Sequence, residues 1–167
     1  MPTTQAPVAS NTLNRRRALS MGLGALALGA GWSLSARAAK PLPLVEVWKD
    51  PNCGCCKDWM AHLQAAGFQV TGIDKGNTAA RAAFGMPLKL GSCHTARVQG
   101  YVIEGHVPAS DIKRLLADKP NALGLAVPGM PIGSPGMDGP EYGNRRDAYQ
   151  VLLVKKDGST QVFNSYS

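Results

Sequence analysis

A chain of 167 residues that is 44% hydrophobic can fold as one domain around its own core, and is too short for two comfortable domains. Its formal net charge of +7 is unevenly placed: residues 1–38 hold Arg15, Arg16, Arg17 and Arg37 and no acid, and without them 14 basic residues face 11 acidic ones. The remaining Lys and Arg are scattered and form no stripe, which argues against a nucleic-acid partner.

The first element in chain order is a targeting segment. Arg15-Arg16-Arg17 precedes an uncharged run over residues 18–34, rich in Ala, Gly and Leu, and Ala36-Arg37-Ala38 supplies the small-x-small pattern of a cleavage site. A signal peptide is therefore expected over residues 1–38, with the mature domain over residues 39–167. The run is short and glycine-diluted for a membrane anchor, which needs about 20 strongly apolar residues, so no stable membrane insertion is expected after cleavage. Arg15-Arg16-x-x-Leu19 resembles a twin-arginine signal, although Ala18 and Ser20 stand where Phe and Lys are usual; general secretion is the other route. Either route places the mature protein in the periplasm.

Leu44-Val45-Glu46-Val47-Trp48 alternates as a strand, and Asp50-Pro51-Asn52 breaks it. From Cys56 the spacing becomes helical, with Trp59, Met60, Leu63 and Ala66 on one face and Gly67 as the stop; His62, mid-helix, reads as solvent-exposed. Residues 68–73 read as a second strand. Asn77 or Thr78 caps a short helix ending near Gly85 and Pro87. Residues 95–98 and 101–104 flank Gln99-Gly100 as a hairpin. Pro108 and Ser110 open a helix with Ile112, Leu115 and Leu116 inward, ending before Pro120. Residues 122–143 read as one long Gly/Pro/Met loop, and residues 149–154 and 160–163 as a closing hairpin around Asp157-Gly158. The order βαβαββα is that of thioredoxins and glutaredoxins, so the expected class is α/β, a thioredoxin-like core with a C-terminal loop and hairpin.

All four cysteines fall in the mature part. Two structural disulfides would be usual after export, but Cys53, Cys55 and Cys56 lie within four residues and cannot staple distant parts of a core. Cys53-Gly54-Cys55-Cys56 follows a strand and opens a helix, where N–H groups and the helix dipole favour thiolate. Cys53 and Cys56 have the C-x-x-C spacing of a redox pair. Cys55 is a third sulfur that disulfide exchange does not need and that a soft ion such as Cu(I) accepts. In the expected topology the third strand runs antiparallel to the first, so Cys93 lands beside this cluster. For His94 and His106, which end at the same edge, a surface or capping role competes evenly with ligation. Met130 and Met137 sit between Pro, Gly and Asp on the long loop, where core methionines are uncommon; their thioethers would suit Cu(I) and not zinc.

Four ordered segments carry a resemblance. They are Cys53-Gly54-Cys55-Cys56; Ser92-Cys93-His94-Thr95; Gly100-Tyr101-Val102-Ile103-Glu104-Gly105-His106-Val107-Pro108; and Ala126-Val127-Pro128-Gly129-Met130-Pro131 with Gly133-Ser134-Pro135-Gly136-Met137. Together they resemble the periplasmic CopG-type copper-resistance family over nearly the whole mature chain. The resemblance implies a thioredoxin-like fold, copper held by Cys53, Cys55, Cys56 and Cys93 as bridging or terminal thiolates, room for more than one ion, and interconversion of Cu(I) and Cu(II). His94, Met130 and Met137 are further candidate ligands, and a periplasmic copper-handling or redox protein is the implied partner. It names no catalytic residue, and whether the chain is a copper oxidoreductase stays open.

Two other chemistries stay open beside it. A thiol–disulfide oxidoreductase would use Cys53 and Cys56 and leave Cys55 and the methionine loop without a role. A structural zinc module with four cysteine ligands would normally draw them from two separate knuckles, whereas three cysteines here share one turn.

Overall fold

The computed structural model describes residues 41–167, and the expected signal segment lies outside the described residues. The alternation at residues 44–48 becomes β1 (Leu44–Lys49), with Val45 and Val47 fully buried and Glu46 exposed. β1 is an inner strand, parallel to β2 (Gln69–Ile73) and antiparallel to β3 (His94–Val98). Between β1 and β2 runs α1 (Gly54–Ala65), whose Cys56, Trp59 and Leu63 form a buried stripe at helical spacing. Gly67 closes α1 at φ +97°, a conformation that strains any residue with a Cβ.

After α2 (Thr78–Ala83) and a 3-10 turn at Leu88–Leu90, β3 and β4 (Tyr101–Glu104) form the expected hairpin. Gln99 and Gly100 both have positive φ, as a two-residue turn matched to the strand twist requires. α3 (Ala109–Asp118) begins after Pro108, which offers no side-chain cap. Its first N–H is satisfied from α1 instead: Ala109 N–H donates to His62 Nε2 at 3.1 Å. His62 is thus a half-buried cap, not the exposed residue expected from its mid-helix position. Trp59 Nε1–H donates to Val107 O at 2.9 Å and ties α1 to the segment that leads into α3.

The order through α3 is the expected βαβαββα. Beyond it, residues 122–143 are not loop throughout. Gly124–Ala126 forms β5, parallel to β4 and antiparallel to β6 (Tyr149–Val154), which pairs with β7 (Thr160–Tyr166). All three residues of β5 are buried, so the strand shows no alternation to read. The result is one seven-stranded sheet in the order β2-β1-β3-β4-β5-β6-β7, which makes the closing hairpin a continuation of the core sheet. Alternate residues feed two apolar clusters. Ile103 and Leu125 pack with Val45, Trp59, Ile112 and Leu115, and Val102 and Ala126 with Met86, Leu90 and Val154. Among the described residues no helix is long and apolar enough to cross a membrane.

Gly124 is where β5 meets β4 most closely: a Cβ there would overlap the Val102 carbonyl, which is backbone and cannot turn aside. Gly124→Ala should therefore lower stability by about 2 kcal/mol or more, the scale of an overpacked core. The measurement is the urea midpoint, and an unchanged midpoint would show that β5 can shift freely.

Candidate metal centre

The cysteine turn is set by the residues that end β1. Asp50 accepts from Asn52 N–H through Oδ1 at 2.8 Å and from Cys53 N–H through its carbonyl at 3.1 Å, so the chain reverses and enters α1 at once. Cys53 becomes the N-cap residue, with Cys55 and Cys56 in the first turn. Three sulfurs thus surround a helix N-terminus, where unpaired N–H groups favour negative charge. Cys53 and Cys56 are joined as a disulfide with a Cα–Cα distance of 5.4 Å, and Cys55 and Cys93 are free.

Cys93 arrives from the expected direction. His94 pairs with Lys49 at the end of the β1–β3 ladder, and Cys93 lies one residue beyond it. Its Sγ is 3.5 Å from that of Cys56 and 3.7 Å from that of Cys55, while Cys53 and Cys55 are 3.6 Å apart. All four sulfurs lie within 4.8 Å of one another. Burial pushes the Cys93 thiol up to about 12, and neighbouring Cys55 adds to the shift by charge repulsion and hydrogen bonding.

Both histidines near Cys93 are fully buried, so neither has the surface role that competed with ligation in the sequence. His106 Nδ1–H donates to Pro135 O at 2.7 Å, which leaves Nε2 unprotonated and 3.1 Å from Cys93 Sγ. His94 Nδ1 lies 3.4 Å from the same sulfur, and among the described residues its Nε2 makes no hydrogen bond of good geometry. Burial holds both imidazoles below the usual histidine range, most strongly His94, where His106 adds to the effect. Cys93, His94 and His106 thus form a second set of donors within 4.8 Å, sharing Cys93 with the sulfur cluster. His106, for which the sequence weighs ligation evenly against a surface or capping role, is absent from the further ligands named there; its position just past a strand that ends at the cluster is the signal that points to it.

Behind Cys93 lies a buried polar layer. Glu104 Oε1 accepts from Arg81 Nε at 2.9 Å and from Ser92 N–H at 2.7 Å, and Oε2 accepts from the Thr95 hydroxyl at 2.6 Å. Burial pushes the Glu104 carboxyl up, while Thr95, Ser92 and Arg81 pull it down; every partner donates, which is the pattern of a carboxylate.

The loop bearing the methionines is more ordered than its composition suggests. Ser134 N–H donates to Pro131 O at 3.1 Å, Met137 N–H to Ser134 O at 2.8 Å, and Gly133 N–H to Met137 O at 2.7 Å. Gly136 lies against the first turn of α1, where a Cβ would come within 2.5 Å of Cys55 O. Met137 is buried and accepts from the Tyr142 hydroxyl at 3.4 Å, while Met130 is 50% exposed. The loop therefore covers one side of the cysteine turn with backbone and supplies the carbonyl that orients His106.

The donors fit a soft ion. Sulfur predominates, the two imidazoles are neutral with one nitrogen each towards Cys93, and the partnerless His94 Nε2 is a buried group of the kind that otherwise requires explanation.

A family described as "Protein of unknown function, DUF411" matches residues 90–137, the stretch that contributes Cys93, His94, His106 and both methionines. Two solved structures are similar at 46% identity. "Copper resistance protein copG- Form 2" has a TM-score of 0.70, covering 77% of this chain and 100% of that one. "Copper resistance protein copG- Form 1" has a TM-score of 0.69, covering 76% and 98%. No curated protein matches the chain.

The raised Cys93 thiol has a direct consequence for reactivity. Thiolate is the attacking species, so a thiol pushed up to about 12 is almost wholly protonated at neutral pH and should alkylate slowly. In metal-free protein with the Cys53–Cys56 disulfide closed, the Cys93 rate should still be climbing at about pH 10, above the usual cysteine range of about 8.5. Mass spectrometry of iodoacetamide adducts against pH checks this, and a plateau near the ordinary range would contradict it.

Proposed function

Since this chain belongs to the CopG family of copper resistance proteins, we propose that it is an exported copper-binding protein of copper homeostasis that takes Cu(I) on Cys53, Cys55, Cys56 and Cys93. The observation that carries this reading is the closeness of four sulfurs, within 4.8 Å of one another at a helix N-terminus. Thiolates are soft, strongly donating ligands for Cu(I), and the helix dipole offsets part of the charge they bring together. Binding releases the thiol protons, including the one that burial holds on Cys93. His94 and His106 stand ready as neutral nitrogen donors at Cys93. Met130 and Met137 are the thioether candidates, with Met130 the one open to solvent.

The Cys53–Cys56 pair adds a redox role. Closing the reduced pair forms one S–S bond and releases two electrons and two protons, which converts two Cu(II) to two Cu(I). Opening the disulfide takes up two electrons and two protons, the electrons coming from two Cu(I) that return to Cu(II) or from a thiol-reducing partner. Copper is thus both cargo and redox partner, and the chain acts as a copper oxidoreductase. The formed C-x-x-C disulfide also favours a second reading, thiol–disulfide exchange on other proteins, for which Cys55 and the histidines would be unnecessary.

Anaerobic Cu(I) titration of the reduced protein against a chromophoric chelator separates the two. Cys55→Ser and Cys93→Ser should each weaken Cu(I) binding by more than the roughly 10–100-fold that loss of an outer-shell partner costs. Met130→Ala should cost less, because a thioether is the weaker donor. Normal copper binding by Cys55→Ser, together with insulin-reducing activity in the parent, would favour the exchange reading.

For export, N-terminal sequencing of periplasmic protein should find Ala39 as the first residue, after the Ala36-Arg37-Ala38 site. A membrane-bound product retaining residues 1–38 would identify the segment as an anchor.

A further inference from the structure

Cys93 is the only cysteine of the cluster that lies outside the C-x-C-C turn, and the residue before it is held in an unusual way. Every polar atom of Ser92 has a partner. Its N–H donates to Glu104 Oε1 at 2.7 Å, its carbonyl accepts from Arg81 Nη2 and from Asn77 Nδ2, the latter at 3.1 Å, and its hydroxyl donates to Gly129 O. Glu104 also reaches past the ligand pair: its other oxygen takes the hydroxyl of Thr95, which is the residue after His94. One carboxylate therefore brackets Cys93-His94 from both sides. Arg81 completes the bracket by binding Glu104 through Nε and Nη2, the latter at 2.8 Å, while also holding the Ser92 carbonyl. Gly91 makes room for the guanidinium, since a Cβ there would stand 3.1 Å from Arg81 Cζ.

A buried ion pair contributes little net stability, because desolvation offsets most of the Coulomb gain. Joining α2 to the sheet would not by itself call for two charges, and an apolar contact would serve as well. What the charges supply and an apolar pair does not is fixed hydrogen-bond geometry at the Ser92 backbone before the donor residues and at the Thr95 hydroxyl after them.

We propose that Arg81 and Glu104 are positioning residues that lock the Ser92–Thr95 segment, so that Cys93 is the fixed jaw of the copper site against which the Cys53–Cys56 turn opens and closes. This rests on the copper reading above. The lock lets one half of the site change redox state without displacing the donor that the sulfur and histidine sets share.

The test uses Arg81→Met combined with Glu104→Leu, which removes both charges and keeps side-chain bulk. Three quantities are read: the urea midpoint of the metal-free protein, the rate of Cys93 alkylation at one fixed pH, and the Cu(I) affinity of the reduced protein. The proposal expects alkylation to quicken about tenfold and affinity to fall about 10–100-fold, the range for loss of an outer-shell partner. The midpoint reports whether the double variant stays folded: the apolar pair can replace the ion pair itself at small cost, and a fall in midpoint is expected from Ser92 N–H and the Thr95 hydroxyl, which lose their acceptor. A folded double variant with alkylation and affinity within about twofold of the parent would overturn it and reduce the pair to a staple for α2. If the double variant does not fold, Asn77→Ala decides: faster Cys93 alkylation supports the lock, and an unchanged rate sinks it. Cys93→Ser serves as the control for the reading beneath. Should it bind Cu(I) as tightly as the parent, the copper assignment fails, while the alkylation rates, which need no metal, still judge the lock.

Discussion

The register of β3 against β1 is the constraint from which the site follows. His94 sits opposite Lys49 at the end of the ladder, so Cys93 falls just past it, level with the turn that leads into α1. A slip of one residue would shift Cys93 by about 3.3 Å and send its side chain to the other face of the sheet. Either change exceeds what sulfurs 3.5 to 3.7 Å apart could absorb. The register is held by the apolar residues that flank it: Val45 and Val47 on β1 and Ala96 and Val98 on β3 all pack into the main core cluster. Core packing and donor placement are therefore one constraint, because the strands that bury these side chains also set the distance between Cys93 and Cys56.

Burial at this sheet edge suppresses charge on Cys93, His94 and His106. The two imidazoles are held neutral and the Cys93 thiol is held protonated, both chiefly by desolvation. In the metal-free state this is costly, because an unpartnered buried nitrogen such as His94 Nε2 forfeits about 1–3 kcal/mol. A soft cation turns the same features to advantage. Bound as proposed, it would take the place of the Cys93 proton, its charge would offset that of the thiolate, and the neutral imidazoles would present lone pairs without needing to lose protons. The helix N-terminus acts in the same direction on Cys53, Cys55 and Cys56. The stability forgone is covered by the surrounding core, where Trp59 packs against the His94 ring with centroids 4.2 Å apart and anchors its own indole N–H on Val107 O.

The sequence makes the site legible in proportion to how local its signals are. The C-x-C-C turn declares itself because three sulfurs share one helical turn, and Cys93 could be joined to it because the hairpin and strand patterns imply which strand ends lie together. β5 was illegible: Gly124, Leu125 and Ala126 are buried on both faces, so they show no period, and they sit at the head of a segment dominated by Gly and Pro. Glu104 ends the strand Tyr-Val-Ile-Glu, where a charged residue reads as the exposed terminus. Its partner Arg81 lies on a six-residue, alanine-rich helix with too few side chains to display a stripe. His62 reads as exposed because its role depends on Ala109, 47 residues away, whose N–H no side chain of its own segment caps.

The methionine loop shows how composition can locate a functional segment and still misjudge what holds it. Met-Pro and Gly-Met pairs on a long Gly/Pro loop suggest a segment whose role is to offer thioethers. The segment also folds on its own turns, with Met137 bonded to Tyr142 and Ser134 bonded to Pro131. Its contact with the site runs through backbone: Gly136 lies against the α1 turn at a distance only glycine permits, and this brings the Pro135 carbonyl to His106 Nδ1, 29 residues back in the chain. That one hydrogen bond decides which imidazole nitrogen keeps its lone pair, and so turns His106 Nε2 towards Cys93. Proline and glycine are suited to the task. Pro135 has no N–H to satisfy beneath the loop, and Gly136 at φ +83° adopts a turn that brings the backbone against the helix without a side chain in between. A loop chosen for thioethers alone would have no need of that Pro-Gly pair, whereas a loop that must press a carbonyl onto a buried imidazole requires it whether or not either methionine binds the ion.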